Sequence, residues 1–330
     1  MNGQISINGH GDVIKGEPWF EDGNILLVTK EIPTGYRVHQ GVLSRHSEIF
    51  SHMLEMPQPT HSADLFEGCQ IITLYDLPGE LANLILALYD GPTFLNRNIG
   101  DFFYLAGILR LASKYFIAHL RRQAIQFLGI TWPSTLEGHD VMIEAALTVR
   151  PVDNLTYPFV HPLHVLNLAN EVDAPILIPS AIYFLSIYPL VDFIKGDHPK
   201  LLVEHPSRPS ASLLSSDLLS YSLMYQHRLQ LMDDFMHQFC KQHGSKPACG
   251  VSTACEKGFS RLVTQLQRIW NLKSGPLHFI AQAMQKVSSC SICSKCCSKF
   301  VHDCGDLRQR IWDELPMLLN LPTWQEMSRS

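Results

Sequence analysis

Eight of the nine cysteines lie in the last third of the chain, and their spacing is the feature best suited to chemistry. Cys290, Cys293 and Cys296 repeat as C-x2-C-x2-C, with Cys297, His302 and Cys304 close behind and Cys249 and Cys255 well upstream. A C-x2-C turn lets two thiolates approach one metal at about 2.3 Å, and a second pair from elsewhere completes a tetrahedron. The amphipathic stretch "FSRLVTQLQRIW" between the two groups predicts a helix that such a metal would pin to the C-terminal one. Spacing alone leaves open which pair of the run would serve. Unliganded buried thiols and redox chemistry are the other readings of the same residues.

Histidines form the second constellation. "YRVHQGVLSRHSEIFSHML", residues 36–54, carries His39, His46 and His52. Their spacings put only His39 and His46 near one face of a continuous helix. The apolar residues are better ordered: Val42, Leu43, Phe50, Met53 and Leu54 recur at helical intervals. Ser47 followed by Glu48 reads as an N-cap and an acidic first turn, which predicts two short helices and a scaffold role for the histidines. No dinucleotide fingerprint, phosphate loop, nucleophile elbow or zincin helix is present, and His302 beside Cys304 is proximity in sequence only. No enzyme is expected.

The elements that must hold these residues follow from composition and pattern. The chain has 330 residues, 46% of them apolar and 17% charged, with a net charge of −5. That length predicts about two domains and at least one sizeable core. An acidic balance without a lysine- or arginine-rich run argues against a nucleic-acid surface. The opening residues lack a basic segment followed by an apolar block, so no secretory signal is expected. The longest apolar run, 174–191, is broken by Pro175, Pro179 and Pro189 and makes a poor membrane span. The expected location is therefore cytoplasmic or nuclear, with reduced thiols.

Four regions emerge. Residues 1–20 read as a flexible N-terminus. Residues 21–130 read as a strand over 24–30, a second at 36–39, two short helices, a proline-punctuated loop over 57–68, a third strand over 69–76, and then three helices. Residues 131–245 read as helices separated by proline- and serine-rich turns, and 246–330 as a cysteine-rich helical region. The expected class is an α+β unit, a small sheet flanked by a cluster of helices, followed by a mainly α-helical extension.

The order in 21–130 resembles the BTB/POZ domain. His39, then Leu43, Ser47, Phe50 and Met53 follow that family's pattern, and "LYDLPGELANLILALYDG" and "LAGILRLASKYFIAHLRRQAIQFL" are similar to its later helices. The resemblance implies a protein-interaction adaptor that homodimerises and docks protein partners, with His39 as a structural strand-end residue. Many family dimers carry a charged pocket, for which the matching positions here are Asn24 and Gln40. Two amides keep hydrogen-bonding capacity where one missing charge would leave its partner buried and unpaired at several kcal/mol. Some members bind the cullin scaffold of ubiquitin ligases through a hydrophobic-x-Glu motif, but "YDGPTFLNRNIGDFF" contains no glutamate.

The whole chain also resembles a large group of fungal BTB proteins, which share a helical extension, a Cys…Cys pair, a C-x2-C and a terminal W-x-x-L-P-x-x-x-x-L-P-x-W segment. Here that segment is Trp312, Leu315, Pro316, Leu321, Pro322 and Trp324. Counting back from it, the resemblance assigns a structural zinc to Cys249, Cys255, Cys293 and Cys296. Two alternatives to the adaptor stand beside it: the substrate receptor of a cullin-based ubiquitin ligase, and a zinc-stabilised regulator associated with nucleic acid.

Overall fold

The computed structural model describes residues 4–7, 11–55, 65–250, 253–271 and 273–329. It divides the chain into two units, Met1–Leu128 with Val203–Pro209, and Gly129–Leu202 with Ser210–Ser330.

The first unit is α+β. In order it comprises β1 (Gln4–Ile7), β2 (Gly11–Lys15), β3 (Ile25–Thr29), β4 (Thr34–Val38), α1 (Gln40–His46), α2 (Glu48–Glu55), β5 (Leu65–Phe66), β6 (Cys69–Leu74), α3 (Pro78–Asp90), α4 (Ile99–Lys114) and α5 (Ala118–Thr131). The strands make one sheet in the order β1-β2-β4-β3-β6-β5, with β3 antiparallel to β4 and parallel to β6. Strand β3 is central and buried at all five residues, as a continuous apolar run predicts for a strand covered on both faces. Its side chains alternate. Ile25 and Leu27 join Tyr36, Val38, Phe50, Leu84 and Ile108 in the main core, while Leu26 and Val28 join Ile7, Val13 and Ile71 in a smaller one.

The described residues of the expected flexible N-terminus, 4–7 and 11–20, include paired strands: β1 and β2 run antiparallel, and Ile7 and Val13 are buried. The alternation of Ile5, Ile7 and Val13 with polar residues carries that signal, diluted by glycines on either side. Of the loop expected over 57–68, residues 57–64 lie outside the described residues, and Leu65–Phe66 is a short strand.

Helices α1 and α2 part at Ser47, as expected. The Ser47 hydroxyl accepts from the Phe50 amide at 3.1 Å and donates to the Tyr115 carbonyl at 2.6 Å. One side chain thus caps α2 and ties it to the end of α4. Gly107 allows α4 to close on α3, since a Cβ there would lie 2.9 Å from Glu80 Cγ. Buried Glu80 pairs with Arg110.

The second unit is helical: α6 (Leu136–Thr148), α7 (Pro162–Glu171), α8 (Ile178–Leu185), α9 (Leu190–Lys195), α10 (Ser215–Asp234), α11 (Cys240–Ser245), α12 (Thr253–Ile269), α13 (Pro276–Lys286), α14 (Ser294–Leu318) and α15 (Trp324–Met327). A π-helical turn, Phe235–Phe239, joins α10 to α11. The regions expected on either side of residue 245 fall in this one unit. Helix α8 is buried from Pro179 to Leu185, every residue after its first, the behaviour of a helix apolar nearly all round. Among the described residues no helix is long and apolar enough to cross a membrane.

His139 of α6 sits in this core, its ring 5.4 Å from Phe184, 5.4 Å from Tyr183 and 5.2 Å from Trp312. Neither ring nitrogen has a hydrogen-bond partner among the described residues. Burial pulls its pKa down to about 4 from 6.5; nearby Asp140 opposes that shift, and Arg308 and His278 reinforce it. The unfolded chain therefore takes up a proton that the folded one refuses between those values. Stability is full above pH 6.5 and falls as the pH drops toward 4, by about 3 kcal/mol from this group. His139→Phe is expected to flatten that acid limb in denaturant unfolding followed from pH 7 to 4. An unchanged slope would remove His139 as its source.

Candidate metal centre

Cys249, Cys255, Cys293 and Cys296 converge. Their four sulfur atoms lie within 4.8 Å of one another, the one group of three or more such ligands among the described residues. Cys249 precedes Gly250, whose φ of 94° turns the chain as only glycine does cheaply. Cys255 lies in the first turn of α12, Cys293 is the N-cap of α14, and Cys296 sits in the first turn of α14. Two helix N-termini therefore meet at the cluster. The Cys293 amide also points at Cys255 Sγ, 3.5 Å away.

Close packing makes the convergence achievable. On α12, Cys255, Phe259, Leu262 and Leu266 form one buried stripe, and on α14 Cys296, Phe300, Cys304, Ile311 and Trp312 form another. Gly258 lets the turn ahead of Cys293 press on α12, because a Cβ there would lie 2.8 Å from the Cys290 carbonyl oxygen and 2.4 Å from Ile292 Cγ1. Larger residues at this position would push the two thiol pairs apart.

The donor set fits a tetrahedral metal. Four sulfurs at about 2.3 Å from a centre stand about 3.8 Å apart along each edge, and Cys249 Sγ and Cys255 Sγ are 3.8 Å apart. Cys255 and Cys296 are buried, Cys249 and Cys293 exposed. Burial pushes the Cys296 thiol up to about 12; the Cys249 amide works against this and the neighbouring thiols add to it. Four thiolates this close need a cation, so metal uptake would release protons.

The other cysteines do not contribute. Cys290 Sγ faces the Lys286 carbonyl at 3.4 Å and Gln265 Oε1 at 3.7 Å, and Cys297 Sγ faces the Ile292 carbonyl at 3.5 Å. Burial raises the Cys240 thiol to about 12 and the Cys304 thiol further still. His302 is exposed and lies 3.7 Å from Asp306, whereas Cys304 is wholly buried, so the two do not make a nucleophile and base.

The residues singled out in the first unit are dispersed into structural posts. Leu43 and Phe50 are core. His39 Nδ1 lies 2.8 Å from the Tyr89 hydroxyl and its Nε2 3.3 Å from Asp22. His46 packs against His119, and His52 is exposed. Asn24 Oδ1 accepts from the Gln40 amide at 2.8 Å, satisfying a free donor at the start of α1 that no local side chain caps. Spacing in the sequence could not show that capping role, because the donor and acceptor belong to different elements.

No protein-family model matches the chain, and no curated protein matches it.

Proposed function

We propose that the chain is a protein-interaction adaptor whose first unit is a BTB-like module pairing with a second copy, and whose second unit is a folded tail fastened by zinc. The observation that carries the reading is the chain order of the first unit. An antiparallel β3–β4 pair is followed by two short helices parted at Ser47, by β6 parallel to β3, and by α3, α4 and α5. That is the order the resemblance implies, and the residues carrying the resemblance hold structural posts. Zinc is the proposed occupant of the cysteine cluster because four sulfurs with no open position make a closed structural site.

The two alternatives gain less. The segment 89–103 has no glutamate to serve a cullin-type contact. On α14, Lys299 is neutralised by Asp303 at 2.9 Å and Arg308 is buried against Asp140, which leaves little basic face for a phosphate backbone. Light scattering on the purified chain at tens of micromolar is expected to give twice the monomer mass. A monomer there would sink the pairing.

A further inference from the structure

The second unit carries a cleft that the metal cluster does not use. It has a volume of about 450 Å³ and runs between α14 and the helix that the π turn delivers into α11. A π turn adds one residue to the helical repeat and so turns the face that follows it. Phe239, at its end, packs on Phe300 at 5.8 Å, and His243, one turn on, packs on the same ring at 5.2 Å. Phe239, His243 and Leu307 give the cleft an apolar floor, with Gln242 at its side.

Its charges do not cancel. Asp303 is engaged twice, by Lys299 at 2.9 Å and by His243 Nε2 at 3.4 Å, and Asp306 faces His302 at 3.7 Å. Lys246 and Arg310 also line the cleft, and neither has an ion-pair partner among the described residues. Two unspent cations beside a half-buried aromatic floor suit a ligand with an apolar group flanked by anionic ones. The volume accommodates a large side chain or two.

We propose that this cleft is a docking site for an acidic peptide segment, one that seats an aromatic or large aliphatic side chain on Phe239 and Leu307 and places flanking carboxylates at Lys246 and Arg310. A nucleic-acid strand fits less well, because two isolated cations, Lys246 and Arg310, make no continuous basic track for a run of phosphates, whereas a peptide needs to place only two carboxylates and can keep them clear of Asp303 and Asp306. The site lies wholly in the second unit and needs no pairing of the first. A monomeric chain would leave it standing.

The test uses the full chain purified without chelator and a fluorescent peptide with a central phenylalanine flanked by aspartates. Polarisation is expected to show saturable binding in the range of about 10–100 μM. Lys246→Glu with Arg310→Glu is expected to weaken it roughly tenfold or more at unchanged metal content and unfolding midpoint, and Lys246→Ala with Arg310→Ala should weaken it less. Replacing the peptide's phenylalanine by alanine should cost a similar factor. Absence of saturable binding, or equal affinity in the charge-reversed chain, would overturn the proposal. So would equal affinity for the alanine peptide, or full competition by inorganic phosphate at comparable concentration, either of which would leave only a bare anion site.

Discussion

Cys296→Ser is expected to remove the bound metal and to lower the unfolding midpoint of the second unit by about 10–20 °C, corresponding to a loss of roughly 5 kcal/mol or more. The size of the effect follows from what the cluster joins. Cys249 comes from the segment after α11, Cys255 from α12, and Cys293 and Cys296 from the start of α14, so one ion held by all four would close chain loops that otherwise depend on side-chain packing. A buried serine hydroxyl in place of a thiol accounts for only about 1–3 kcal/mol. The metal's share is isolated by treating the native chain with chelator: the chelated native protein should account for most of the drop, unfolding above untreated Cys296→Ser by no more than the roughly 1–3 kcal/mol of the serine. Cys297→Ser is the control, because its sulfur faces the Ile292 carbonyl and lies outside the cluster. It should keep one metal per chain and a near-native midpoint. If chelator leaves the native midpoint unmoved while Cys296→Ser still lowers it, the four thiols are a packed core and not a metal centre.

Much of this was written locally. Strand β3 could be found because ILLVT is an unbroken β-branched and leucine run bounded by Gly23 and the turn before Thr34, and α3 because Leu81, Leu84, Ile85 and Leu88 keep helical intervals up to Gly91. The break between α1 and α2 was legible in Ser47 alone. The resemblance, counted back from Trp312, named the four cysteines that converge, whereas spacing alone showed a candidate metal cluster without a choice of ligands. C-x2-C-x2-C offers Cys290 as readily as Cys296. What excludes Cys290 is distant in sequence: Gly258 admits the turn against α12, Ser291 takes a left-handed conformation at φ 61°, and Cys290 then faces inward to Gln265. Contacts between elements also decide the features that pattern missed. Nothing in the local pattern singles out Arg228, yet it is wholly buried, donating to the Ser274 carbonyl at 2.8 Å and lying over the Tyr225 ring. Segment 197–212 reads as a loop by composition, but within it Val203–Pro209 belongs to the first unit, where His205 stacks on Phe103 at 4.6 Å.

Trp312→Ala is expected to cost about 3–5 kcal/mol, the largest effect of a single packing change in the second unit. The terminal tryptophan–leucine–proline segment could in principle be core or a partner groove, and the contacts of its first tryptophan favour core. Trp312 is buried, its Nε1 donates to the Ser134 carbonyl at 3.0 Å, and its ring stacks on Trp324 at 5.5 Å and 7°. Trp324 Nε1 in turn donates to the Trp312 carbonyl at 2.9 Å, so the chain after α14 folds back onto the helix it has just left. The Thr323–Glu326 capping box holds α15 in that reversal. Removing the Trp312 indole would strand the Ser134 carbonyl, open a void against His139 and Tyr183, and leave Trp324 without its stacking face. The site has little freedom to collapse, since His139 is held on another side by Phe184. Trp312→Phe should recover much of the packing but not the hydrogen bond, leaving a deficit of about 1–3 kcal/mol. Trp324→Ala, at a half-buried position, should cost less than Trp312→Ala. Denaturant unfolding of the three variants ranks them. A Trp312→Ala chain that unfolds at the native midpoint would mean the indole is not core, and the segment would then have to be read as a surface kept for a partner.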